Sequence, residues 1–95
     1  MADLKTLLAR VRAAHAPLTA TGAQARADAA REIRDWTTAA RHYRRSLDLD
    51  PTRAAIWVQY GHALKESGRR LEAEAAYRQA TTLAPDDADA ALQWG

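Results

Sequence analysis

Shifting this 95-residue chain against itself by 34 positions lays Tyr43 on Tyr77, Arg44 on Arg78, Leu49 on Leu83, Pro51 on Pro85 and Gly61 on Gly95. In the same register Ala39 falls on Ala73, Ala54 on Ala88, and Tyr60 on Trp94, an aromatic on an aromatic. The alanine matches carry little weight, because alanine makes up about a quarter of the chain. Paired Pro, Tyr and Gly in one register are not a product of composition. Thirty-four residues is the period of a helix–turn–helix repeat, in which each helix pair buries its apolar face against the next pair. The fold class that follows is all-α, a helix–turn–helix repeat solenoid.

Local patterning agrees with the period. Prolines stand far apart, at Pro17, Pro51 and Pro85, and between them apolar residues recur at helical spacing with no sustained alternation. Leu4, Leu7, Leu8, Val11, His15 and Leu18 form one stripe, which predicts an amphipathic leader helix ending near Pro17. Thr21-Gly22 reads as a turn. Helices are then expected at about 23–34, at 36–49, at 52–67 with Gly68 as a left-handed stop, and at 70–83. A sixth begins near Asp86, so the solenoid has about six helices in four stretches: a leader or capping helix at 1–19, a first repeat at 20–53, a second at 54–87, and the start of an incomplete third at 88–95.

Composition narrows the function classes. With no cysteine, no thiolate zinc site or disulfide framework exists. Phenylalanine is absent and large apolar side chains are few, which suits a stack of thin alanine-rich helices and argues against a deep catalytic pocket. Residues 1–45 carry nine Lys/Arg against four Asp/Glu, a balance of +5, whereas residues 46–95 carry five against eight, a balance of −3. Such a bipolar chain fits end-to-end stacking or an acidic partner at one end. No stretch approaches the roughly 20 apolar residues of a membrane span, and the first residues lack a secretory signal's apolar centre, so the expected location is the cytoplasm.

Residues 54–87 resemble the tetratricopeptide repeat family through Trp57, Tyr60-Gly61, Gly68, Ala73, Tyr77, Ala80 and Pro85. Residues 20–53 resemble it in their second half, through Trp36, Ala39, Tyr43, Ser46 and Pro51. In their first half Ala23, Arg26 and Ala27 replace the tryptophan, a large apolar residue and the glycine, so this first repeat is degenerate. Trp94-Gly95 match the opening of a third. The resemblance implies a right-handed superhelix that acts as a scaffold for protein–protein interaction, with an extended peptide or partner helix held in the concave groove. Carried over position by position, it implies groove residues Gln24, Asp28 and Arg31 in the first repeat and Ala55, Val58, Gln59, His62 and Lys65 in the second. The Lys/Asn clamp with which one subset of the family grips C-terminal carboxylates has no counterpart here, since Val58 and His62 occupy its places. Residues 56–80 also resemble repeats that precede glycosyltransferase domains in some bacteria. The alternative is therefore an N-terminal interaction or targeting module of a larger bacterial enzyme.

The residues themselves supply no catalytic centre, no cofactor site and no metal site. His15, His42 and His62 lack a second ligand at helical spacing, apart from Glu66 one turn after His62, an ordinary surface pair. Ser46 and Ser67 have no oriented base beside them, and the four glycines are too scattered to cradle a phosphate. The arginines at 31, 34, 41, 44 and 45, with Trp36 and Tyr43 among them, define a nucleic-acid reading, which Glu32 and Asp35 interrupt. A membrane-surface role for the leader is disfavoured by Asp3 among its cations. A cap over the first repeat, or a contact with a partner chain, fits it better. At the other end Leu92 and Trp94 open a repeat, which implies either a fragment of a longer protein or a second copy that supplies the missing face, by self-association or domain swapping.

Overall fold

A computed structural model of the chain describes residues 3–14 and 18–85. These form five helices: α1 (Leu4–Ala14), α2 (Ala20–Glu32), α3 (Trp36–Leu49), α4 (Ala54–Glu66) and α5 (Arg70–Leu83). The sixth expected helix and His15 lie outside the described residues. Packing runs along the chain, α1 on α2, α2 on α3, α3 on α4 and α4 on α5, so α1 and α5 sit at opposite ends of the stack. This is the nearest-neighbour architecture that the 34-residue period requires.

The core is built from small side chains. Ala27, Ala39, Ala40, Ala63 and Ala80 are fully buried, and among them stand only a few large residues, notably Tyr43, Leu47, Ile56, Tyr60, Leu64 and Tyr77. Alanine at a crossing point lets helix axes approach, and the aromatic rings fill the space the small residues leave. Gly61 takes this to its limit, because a Cβ there would stand 2.6 Å from Tyr77 Cε1.

Three helix starts carry a side-chain cap, while α4 and α5 begin without one. Asp3 caps α1 by accepting from the Thr6 N–H at 2.8 Å, Thr19 caps α2 through the Gly22 N–H at 3.0 Å, and Asp35 caps α3 through the Thr38 N–H at 3.2 Å. The Thr38 hydroxyl and N–H hold the Asp35 carboxyl below its ordinary range. The cap at Thr19 corrects the expected turn at Thr21-Gly22: α2 begins at Ala20, and Gly22 is a buried residue of its first turn. Ser46 of α3 joins the same turn from across the pair, donating to the Ala20 carbonyl at 2.7 Å.

The two inter-helix turns within the helix pairs are copies of one another. After α4 the Gly68 N–H donates to Lys65 O and the Arg69 N–H to Leu64 O, with Gly68 at φ +87. Thirty-four residues earlier the Arg34 N–H donates to Arg31 O and the Asp35 N–H to Ala30 O, with Arg34 at φ 59. Both are the paired-bond stop that places one residue in the left-handed region. Gly68 adopts it without cost, and Arg34 against a Cβ–carbonyl clash of about 1–2 kcal/mol. Replacing Arg34 with glycine is expected to stabilise the chain by about 1 kcal/mol, raising the melting midpoint by about 4–8 °C for a domain of this size. Thermal unfolding followed by circular dichroism checks this, and an unchanged or lowered midpoint refutes it.

Candidate protein-binding groove

Helices α2 and α4 lie side by side along one face of the stack, joined where Arg31 Nη1 donates to Gln59 Oε1 at 2.8 Å. Arg31, Glu32, Arg34, Trp36, His62 and Glu66 line an open cleft of about 420 Å³ between them. The His62 ring meets Trp36 edge-on, centroids 5.1 Å apart at 81°. A second cleft, about 410 Å³, continues from Asp28 and Arg31 of α2 to Lys5, Thr6 and Ala9 of α1. The groove is thus longer than two repeats alone would make it, and α1 forms its far wall.

The residues expected in the groove divide by role. Val58 is half-buried and packs against the core cluster, while Ala55 and Lys65 are exposed. Gln24, Asp28, Arg31, Gln59 and His62 are half-buried. Asp28 also has an internal task, accepting a hydrogen bond from Tyr43 Oη at 2.6 Å. Burial, and next this bond and the Asp28 charge, push the Tyr43 hydroxyl far above its ordinary range. Sequence reasoning missed Glu32, Arg34, Trp36 and Glu66 as lining residues. The period could have shown one pair, since Glu32 and Glu66 stand 34 residues apart. The part played by Trp36 was not legible, because it reaches the groove from the start of α3.

The cleft offers two guanidinium groups, two carboxylates, an indole and an imidazole at an open surface. That set can bond the amides of an extended chain and stack against one of its side chains, and its charges nearly balance. The arginines of the nucleic-acid reading do not share a face. Arg31 and Arg34 line this cleft with two glutamates, Arg41 and Arg44 lie beside Tyr60, and Arg45 lies beside Leu18 and Leu49. Arg44 is further paired with Asp48 at 3.0 Å. A phosphate track needs its cations on one continuous surface, and the fold separates them.

Among the described residues no group of three or more His, Cys, Asp or Glu could hold a metal, and no helix is long and apolar enough to cross a membrane. The Ser46 and Ser67 hydroxyls donate to backbone carbonyls, Ala20 O and Leu64 O. His42, on α3 and away from the groove, has its pKa lowered by burial and by Arg41 and Arg26. Leu92 and Trp94 lie outside the described residues.

The leader packs on α2, at the end of the stack. Half-buried Thr6 and Ala9 line the cleft between the two helices, and the leucine stripe is exposed. Asp28 and Glu32 make the flank of α2 that faces α1 polar.

Residues 54–87 match the family model of the tetratricopeptide repeat. The chain is similar to two Drosophila melanogaster proteins, protein O-mannosyl-transferase Tmtc1 (40% identity over 55 residues, 57% of this chain) and Tmtc2 (39% over 57 residues, 59% of this chain). It spans 6% of the length of each. Among solved structures it is similar to the Arabidopsis OM64 TPR domain, with a TM-score of 0.74 and 26% identity over 81% of this chain and 64% of that one. The chain carries a tetratricopeptide repeat at residues 54–87 and has the fold of a tetratricopeptide-repeat domain.

Proposed function

We propose that this chain is a protein-binding module that receives an extended peptide or a partner helix along α2 and α4. The observation that carries the reading is the open cleft in which Arg31, held by Gln59, stands beside the Trp36–His62 aromatic pair. Groove residues Gln24, Asp28, Arg31, Ala55, Val58, Gln59, His62 and Lys65 supply its surface. The near balance of charge favours a ligand of mixed polarity, gripped through its backbone and one apolar or aromatic side chain, over a strongly acidic tail.

A displayed library of random 12-residue peptides, panned on the full chain, tests this. The enriched peptides are expected to lose at least about tenfold in affinity when His62→Glu or Gln59→Ala is introduced, the size of change that losing a central contact produces. Peptides that bind both variants as well as the parent would place recognition elsewhere and sink the groove reading.

A second reading makes the chain the interaction module of a larger glycosyl-transferring protein. The two mannosyltransferase relatives support it. Sequencing the flanking DNA decides: an open frame into a transferase domain supports it, and flanks coding for no such domain overturn it.

A further inference from the structure

The leucine stripe of α1 is the largest run of exposed apolar side chains among the described residues. Leu4 is 70% exposed, Leu7 50%, Leu8 45% and Val11 51%, all on one side of an eleven-residue helix. Exposed Lys5 and Arg10 border the stripe on its two sides, and the helix holds no acidic residue against Lys5, Arg10 and Arg12. A contiguous apolar strip with a charged rim marks a contact surface.

The other end of the chain is its chemical complement. Residues 86–95 contain Asp86, Asp87 and Asp89, no cation, and the apolar residues Leu92 and Trp94. The helix carries three positive charges and the segment three negative ones, and each also has apolar groups. Among the described residues α1 packs on α2 and α5 on α4, at opposite ends of the stack.

We infer that residues 86–95 of one copy dock on the Leu4–Leu7–Leu8–Val11 face of α1 in a second copy, with Asp86, Asp87 and Asp89 opposite Lys5 and Arg10. The inference rests on the reading that copies associate through Leu92 and Trp94, and it adds the surface that receives them. The contact is head-to-tail, so it builds open chains or rings rather than a two-fold dimer. A ten-residue segment buries well under the roughly 800 Å² per partner of a stable interface, so association is weak and appears only at high concentration.

The test is sedimentation of the full chain from about 10 μM to 1 mM, together with a head variant, Leu8→Glu, and a tail variant, Trp94→Asp. The parent is expected to grow in mass with concentration beyond a dimer. Each variant alone is expected to stay monomeric, and an equimolar mixture to form a 1:1 dimer that grows no further, since one intact head and one intact tail remain. Leu8 is exposed, so its variant keeps the fold, and helicity by circular dichroism verifies this. Leu92→Asp replaces the tail variant should Trp94→Asp unfold. Lys5→Glu with Arg10→Glu is expected to weaken association by about tenfold at low salt. A head variant that associates like the parent beside a monomeric tail variant overturns the docking surface and leaves the self-association reading standing. A tail variant that associates like the parent overturns both, as does a parent that is monomeric throughout.

Discussion

Replacing Gly61 with alanine is expected to destabilise the fold by about 1–2 kcal/mol, and with valine by about 3 kcal/mol or more, although both exchanges remove a glycine from a helix interior. Alanine would gain up to about 1 kcal/mol in helix propensity. Against that stands the Tyr77 ring, with Cε1 at 2.6 Å and Cδ1 at 2.7 Å from the new Cβ. A real Cβ does not tolerate that distance, and the ring is 3% exposed with nowhere to swing. Overpacking a filled core costs about 1–3 kcal/mol, and valine adds two methyl groups in the same space while losing rotamer freedom. In a domain whose whole stability is about 5–15 kcal/mol, the valine variant approaches unfolding. Urea titration of Gly61→Ala, Tyr77→Leu and the double variant checks the cause. Because the two side chains touch, the double variant should recover about 1 kcal/mol relative to additivity. Strict additivity would show that the Gly61–Tyr77 approach is not what glycine serves.

The second large effect separates two tyrosines that look equivalent in the 34-residue register. Tyr43 Oη donates to Asp28 at 2.6 Å, whereas Tyr77 Oη is buried without a partner among the described residues. The partner is lost because His62 stands where the register places the counterpart of Asp28, and its ring has turned to Trp36. Asp28→Ala should therefore cost about 2–3 kcal/mol, since it strands a fully buried hydroxyl. Tyr77→Phe removes an unsatisfied hydroxyl and should be neutral or stabilising by up to about 1 kcal/mol. Chemical denaturation of both variants decides. A Tyr77→Phe loss as large as that of Asp28→Ala would mean that Tyr77 Oη does have a partner.

The same burial gives an alkaline limit. Both hydroxyls are pushed above their ordinary value of 10.0, first by desolvation, then by Asp28 at Tyr43 and by Glu66 at Tyr77. The folded state thus holds these protons more tightly than the unfolded chain. Its advantage is whole below pH 10 and is lost as pH rises beyond that value toward the folded-state pKa. Unfolding midpoints measured at pH 8, 10 and 11 should fall over the last interval, and less steeply in Tyr43→Phe.

What could be read from residue order is what depends on neighbours within a turn or two. The bounds of α3 and α5, the stop at Gly68 and the small residue at Ser46 follow from periodicity, left-handed preference and register. The start of α2 did not follow, because Thr21-Gly22 is a turn signal locally, whereas Thr19 caps the helix and Gly22 is buried in its first turn. Arg34 in a left-handed stop was equally invisible, since its own preference opposes the conformation that its two backbone bonds impose. The proposed groove positions come from the family pattern, which does not reveal the Arg31–Gln59 bond or the Trp36–His62 contact between residues 28 and 26 positions apart in the chain. Most of all, α1 shows where local reading ends. Its stripe was plain in the sequence, yet which side meets α2 is a contest between two surfaces. Thr6 and Ala9 face the cleft toward Ala25 and Ala29 of α2, and the leucines are left facing solvent. Spacing along a helix decides that a face is apolar, and the shape and charge of the neighbouring helix decide whether that face is buried.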